Sequence, residues 1–225
     1  DKKMIIKTLD YRVLWLNALL AGFYFLLAEF GLWFATISGN VTLIWLPAGL
    51  ALATLLLGGL RYIPCIFIGA FATGIAVGDA IPVSLGIALG NTLEPLFAWY
   101  LLTRIIKFDI LLNRLVDFLL LLFFAAPLSA MLSTLIGTAS LSLGKLIKED
   151  QVINVALNWW MADTLGIILI TPLILAWVKP LPCISKISLL QKIIRALPLP
   201  FAFLAGQLIF FDWFKEDVEL FARPE

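Results

Sequence analysis

Three acidic residues, Glu29, Glu94 and Asp163, stand inside stretches that are otherwise almost wholly apolar. Two of them have company at helical spacing: Asn91 lies three residues before Glu94, and Trp159 four before Asp163, so each pair shares a helix face. Trp160 adjoins the second pair, and Trp45-Leu46-Pro47-Ala48-Gly49 joins an aromatic residue to a helix-breaking proline and a glycine that admits close backbone approach. A carboxylate beside an aromatic face holds a cation or a hydrogen-bond donor. Hydrolytic and redox chemistry is another matter. The chain has no histidine, which removes His-ligated zinc or haem, Ser-His and Cys-His pairs, and any phosphohistidine site. Its two cysteines, Cys65 and Cys183, are too far apart for a metal or redox motif. No catalytic residue, metal or cofactor is expected. The candidate ligand contacts are Glu29, Trp45, Pro47, Asn91, Glu94, Trp159, Trp160 and Asp163.

Each cluster also has a purely structural reading. Asn91 and Glu94 suit an interhelical hydrogen bond, worth about 0.6–2 kcal/mol in a membrane. Trp45 and its proline suit a helix start in an interfacial tryptophan belt. At Trp159 and Asp163 the ligand reading is favoured, because two costly features coincide there.

The elements that must position these residues follow from composition. Of 225 residues, 62% are hydrophobic and 14% charged, where soluble domains carry about 25% charge. Mean hydropathy is +1.04. A chain this apolar cannot cover a water-exposed surface. A net charge of +1 gives no electrostatic case for a nucleic-acid partner. Backbone amides in hydrocarbon must bond within their own segment, so long apolar runs predict membrane helices. Seven are expected: Val13–Ile37, Val41–Leu60, Tyr62–Gly78, Ile81–Ile105, Val116–Leu143, Val155–Val178 and Leu197–Phe214. The fold expected is an all-α integral membrane bundle of about seven transmembrane helices, compact because most connections are very short.

Basic residues set the direction. Lys2, Lys3, Lys7 and Arg12 precede the first span, Arg61 follows the second, and Arg104, Lys107 and Arg114 follow the fourth. Lys179, Lys186, Lys192 and Arg195 follow the sixth, while the opposite connections carry only Lys145 and Lys148. The positive-inside rule then predicts a cytoplasmic N-terminus. Between spans six and seven, Ile184, Ile187, Leu190 and Ile194 form an apolar stripe, predicting an amphipathic helix on the inner leaflet. Seven crossings leave the C-terminus outside, so a cytoplasmic output domain would need one span more than residues 1–225 supply. Cys65 and Cys183 lie toward the reducing face and are expected unpaired.

An acidic side chain deep in a span costs about 2.5–3.5 kcal/mol on insertion scales and should face the bundle interior or water. The spans hold no basic residue except at their ends. Each carboxyl is therefore held as the neutral acid, bonded to neutral donors, reached by water, or paired with something the chain does not supply. At about 1.5 Å per residue, Glu29 and Asp163 lie roughly 12 Å from the outer ends of their spans. An outward-opening cavity is expected. Small residues at four-residue spacing (Ala70, Gly74 and Gly78; Gly86 and Gly90) predict close helix packing.

The same clusters carry a resemblance. Ile44-Trp45-Leu46-Pro47-Ala48-Gly49-Leu50-Ala51-Leu52-Ala53 leads into Gly59-Leu60-Arg61-Tyr62. Gly90-Asn91-Thr92-Leu93-Glu94 follows, then Trp159-Trp160-Met161-Ala162-Asp163-Thr164-Leu165-Gly166 with Thr171-Pro172. In order and spacing, over most of the chain, these stretches resemble the first type of bacterial membrane-associated sensor domain. Two positions depart from that pattern: Leu46 stands where a second proline is usual, and Ala162 where glycine is. The resemblance implies a sensory module of about eight spans in the bacterial inner membrane. It implies fusion to a cytoplasmic histidine kinase or diguanylate cyclase, hence two-component or cyclic di-GMP signalling. It leaves the ligand undefined. Partners expected are membrane lipids, a small ligand or a membrane partner protein, the output domain in cis, and a second copy, since such output domains act as dimers. The competing expectation is a transporter or its substrate-binding subunit, which intramembrane carboxylates and a Pro-broken helix suit equally well.

Overall fold

The structure is a computed structural model that describes residues 11–37 (34–37 as backbone only), 44–110 and 114–178. Among these the chain is helical throughout, with no strand. The helices are α1 (Tyr11–Ile37), α2 (Leu46–Gly58), α3 (Ile63–Val77), α4 (Ile81–Tyr100), α5 (Leu115–Leu120), α6 (Ala126–Leu143) and α7 (Val152–Val178). A 3-10 turn, Leu60–Tyr62, leads into α3. A π-helical turn, Leu101–Ile106, extends α4, and another, Leu121–Ala125, joins α5 to α6 into one span. Proline starts three of these helices: Pro47, Pro64 and Pro82 sit in the first turns of α2, α3 and α4. There the missing N–H would have had no partner anyway. Gly78 ends α3 in the left-handed conformation (φ 95°), and the Gly78 and Asp79 N–H groups cap the Ile75 and Gly74 carbonyls.

Five helices are long and apolar enough to cross a membrane: Tyr11–Trp33, Leu60–Val77, Ile81–Ile106, Leu115–Leu143 and Glu149–Val178. These agree within a few residues with expected spans one, three, four, five and six. The second expected span, Val41–Leu60, is different: its helix is only the 13 residues of α2. The reason is tertiary. The Trp45 N–H donates to the Ala162 carbonyl of α7 (2.9 Å), which fixes residues 44–45 as non-helical backbone just ahead of Pro47. The seventh span, the amphipathic segment 179–196 and the basic N-terminus lie outside the described residues.

α2 is the central element. Pro47 through Leu56 are all buried, with α1, α4 and α7 packed around them. Helix packing in lipid gains little from apolar burial, so close backbone approach must supply the contact. At the α2–α7 crossing a Cβ on Gly49 would run into the Gly166 carbonyl oxygen, and a Cβ on Gly166 into that of Trp45. The Thr171 hydroxyl donates to the Gly49 carbonyl across the same contact (3.0 Å). Gly74 meets Ser84 and Gly86 meets Ser140 in the same way, as their spacing leads one to expect. The large exposed side chains of α1, including Trp15, Leu19, Phe23 and Leu26, form an outer face suited to lipid.

Thirteen residues make a helix of roughly 20 Å, against a hydrocarbon core of about 30 Å. Among the described residues, α2 therefore falls short of the longer helices around it at one end, the end that carries the α3–α4 turn.

Candidate functional site

Ahead of the α2 N-terminus lies a cavity of about 390 Å³. Trp45 forms part of its wall, and the rest comes from α1, α3, the α3–α4 turn, α4, α6 and α7. Four of the expected site residues, Trp45, Asn91, Trp159 and Asp163, line it together. α4 and α7 bring the polar members because Asn91 and Asp163 occupy their inward faces (5% and 1% exposed). Pro95 inside α4 removes the helical donor to the Asn91 carbonyl, loosening the ladder at this level.

Ser133 of α6 organises the polar wall. Its hydroxyl donates to Asn91 Oδ1 (2.9 Å) and accepts the indole N–H of Trp159 (3.2 Å). One turn on, Gly137 makes room for the indole: a Cβ there would stand 2.6 Å from the Trp159 ring. Glu94 lies against Asp163, with Ser133 beside both. Tyr24 of α1, 2% exposed, brings its hydroxyl to the Trp45 indole and the Asn91 amide. Seven side chains, six from α1, α4, α6 and α7 and Trp45 from just ahead of α2, thus form one polar chain. It is not fully satisfied. Asp163 Oδ2, Glu94 Oε1 and Glu29 Oε1 are buried without a hydrogen-bond partner, a condition that costs about 1–3 kcal/mol per group.

The other expected residues stand apart from the wall. Glu94 is behind Asp163, Pro47 sits in the first turn of α2 below Trp45, and Glu29 is half-buried on α1, three residues from the wall residue Leu32. Trp160 turns toward α6, where its indole N–H donates to the Pro127 carbonyl (2.9 Å). Asp163 is also deeper than expected. α7 begins at Val152, three residues before the expected start, after a 3-10 turn that the Gln151 side chain caps by accepting the Lys148 N–H (3.1 Å). About eleven residues, or roughly 17 Å, separate Asp163 from that start.

Asp117 corrects the expectation that no cation neutralises the span carboxyls. Its two oxygens accept Arg114 Nε (2.8 Å) and Nη2 (3.0 Å), and Oδ1 also accepts the Asp109 N–H (3.3 Å). This bidentate pair raises the Arg114 guanidinium further above its ordinary value, chiefly through the hydrogen bonds to Asp117. Asp79, in the α3–α4 turn, belongs to the cavity wall, and partial burial pushes its carboxyl above the usual range. Cys65 is buried and free, its thiol donating to the Tyr62 carbonyl (2.9 Å). Among the described residues no group of three His, Cys, Asp or Glu side chains could hold a metal ion.

A family model, MASE1, matches residues 16–213. The chain belongs to the MASE1 family. MASE1 is a membrane-associated sensory domain family of signalling proteins, so this is a sensory rather than a catalytic domain. With five helices able to cross a membrane, it is a multi-pass membrane protein. No curated protein and no solved structure matches the chain. Within this MASE1 domain, sequence reading missed Tyr24, Ser133 and Gly137. Tyrosine, serine and glycine are ordinary in membrane helices. The faint signal is the small-residue row Ser129, Ser133 and Gly137 on α6, which has the four-residue spacing of a close-packed face.

Proposed function

We propose that this MASE1 domain is the input module of a bacterial inner-membrane receptor. Its N-terminus lies in the cytoplasm, and the cavity opens toward the periplasmic side. A small ligand entering from that side or from the membrane occupies the cavity and biases two helix arrangements. A cytoplasmic output domain, a histidine kinase or diguanylate cyclase, reads that bias. The observation that carries this reading is the cavity itself. It lies ahead of a short central helix, it is walled by Trp45, Asn91, Trp159 and Asp163, and it adjoins carboxyl oxygens that have no partner among the described residues. Buried polar groups in membrane helices are costly and mark binding or transport pathways. The basic residues Arg12, Arg61, Arg104, Lys107 and Arg114 all fall at the opposite end of the bundle, which supports the orientation.

The test uses the full-length receptor. Asp163→Asn and Glu94→Gln are expected to change output severalfold while the protein reaches the membrane at wild-type abundance. Unchanged output at matched abundance overturns the proposal, and so does uptake of a solute by the isolated domain in liposomes that Asp163→Asn abolishes. Failure of both variants to accumulate assigns the carboxyls to structure instead.

A further inference from the structure

The cavity is chemically one-sided. Among the described residues its wall holds two carboxyls, Asp163 and Asp79, and no Lys or Arg. Of the two indoles in the wall, Trp159 donates its N–H to Ser133, and Trp45 has the Tyr24 hydroxyl beside it. What they leave for an occupant is ring surface. The amides of Asn91 and Asn158 complete the polar part, and the remainder is aliphatic.

Three classes of occupant can be weighed against this wall. An anion meets two carboxyls without a counter-charge, at a dielectric where like charges repel strongly. A purely apolar molecule leaves Asp163, 1% exposed and with Oδ2 unpartnered, as it was. A cation with N–H donors satisfies that oxygen and gains from the aromatic faces beside it. A bare metal ion lacks a ligand set among the described residues. The volume, about 390 Å³, falls in the range of small-molecule sites, about 300–1,000 Å³.

We infer that the cavity receives an organic cation: a protonated amine on a small apolar body, its ammonium at Asp163 and its body against the rings of Trp45 and Trp159. This rests on the cavity being the ligand site and adds the charge and class of what enters it.

The experiment is binding to the protein in lipid nanodiscs of neutral lipid, read by thermal shift and by tryptophan emission. Three probes of matched shape are compared: 4-phenylbutylammonium, 4-phenylbutanol and 4-phenylbutanoate. The ammonium is expected to bind at least tenfold more tightly than the alcohol, and the carboxylate not at all. Asp163→Asn is expected to weaken the ammonium at least tenfold while leaving the alcohol within twofold. Asp79→Asn, at a half-buried turn that tolerates change, is expected to weaken it two- to threefold, which keeps the test valid if the deeper variant does not fold. Equal binding of ammonium and alcohol, or ammonium binding indifferent to both variants, overturns the cation assignment while the cavity remains a binding site. No binding by any probe also overturns it, and receptor output of Asp163→Asn then decides separately whether the cavity is a sensory site.

Discussion

Adding a single methyl group at Gly166 tests the contact that keeps α2 short. The Gly166 position faces the Trp45 backbone so closely that a Cβ would collide with the carbonyl oxygen and stand 2.8 Å from the carbonyl carbon. The obstacle is main chain, so no rotamer change relieves it. Gly166→Ala must push residue 45 away from α7, and the Trp45–Ala162 backbone bond of 2.9 Å goes with it. Overpacking costs about 1–3 kcal/mol and the lost hydrogen bond about 0.5–1.5 kcal/mol, together about 2–4 kcal/mol. At about 2–4 °C per kcal/mol for a domain of this size, the melting temperature should fall by about 4–16 °C. The assay is thermal unfolding in detergent, followed by tryptophan emission and by loss of the monodisperse chromatographic peak. Gly22→Ala is the control: nothing lies within 4 Å of its Cβ, and alanine in a helix interior gains about 0.5–1 kcal/mol over glycine. If the two variants melt within 2 °C of each other, the α2–α7 contact does not hold the helix start where the structure has it.

Two further outcomes are expected. Ser133→Ala removes the acceptor of the Trp159 indole and the donor to Asn91, so it should cost about 1–3 kcal/mol and shift tryptophan emission, whereas Ser140→Ala, whose hydroxyl bonds only within its own helix, should cost under about 0.5 kcal/mol. Arg114→Ala strands the buried Asp117 carboxylate, so its melting temperature should drop below that of wild type, and adding Asp117→Asn should restore more than half of the loss, since the double variant buries no lone charge.

The membrane class and most span limits were legible because apolar runs bounded by glycine, proline and charge leave little choice in hydrocarbon. The site was legible in part, from the cost of polar atoms in such runs: of the eight candidates, Trp45, Asn91, Trp159 and Asp163 share the wall, while Glu29, Pro47, Glu94 and Trp160 stand apart from it. Other features were not. Ile44 and Trp45 are as apolar as the residues that follow, and the bond from Trp45 to a helix more than a hundred residues away joins Pro47 in setting where α2 starts. Trp159 and Trp160 are adjacent and identical in type, yet about 100° apart on the helix, so only one reaches the cavity. The Arg114–Asp117 pair was not legible because Arg114 belongs to the loop, where its reach into the span depends on the turn between them. Ser133 carries its role through position alone, at the crossing where α4, α6 and α7 meet.

The two π-helical turns, Leu101–Ile106 and Leu121–Ala125, lie against each other across the bundle at the Arg104 end. Such a turn holds one residue more than the α path would use. Passing that residue along the helix would swing every side chain beyond it by about 100° and advance the axis by about 1.5 Å. Two neighbouring spans therefore store a spare residue apiece beside the basic loop that joins them, and moving either would change which way the side chains beyond it face.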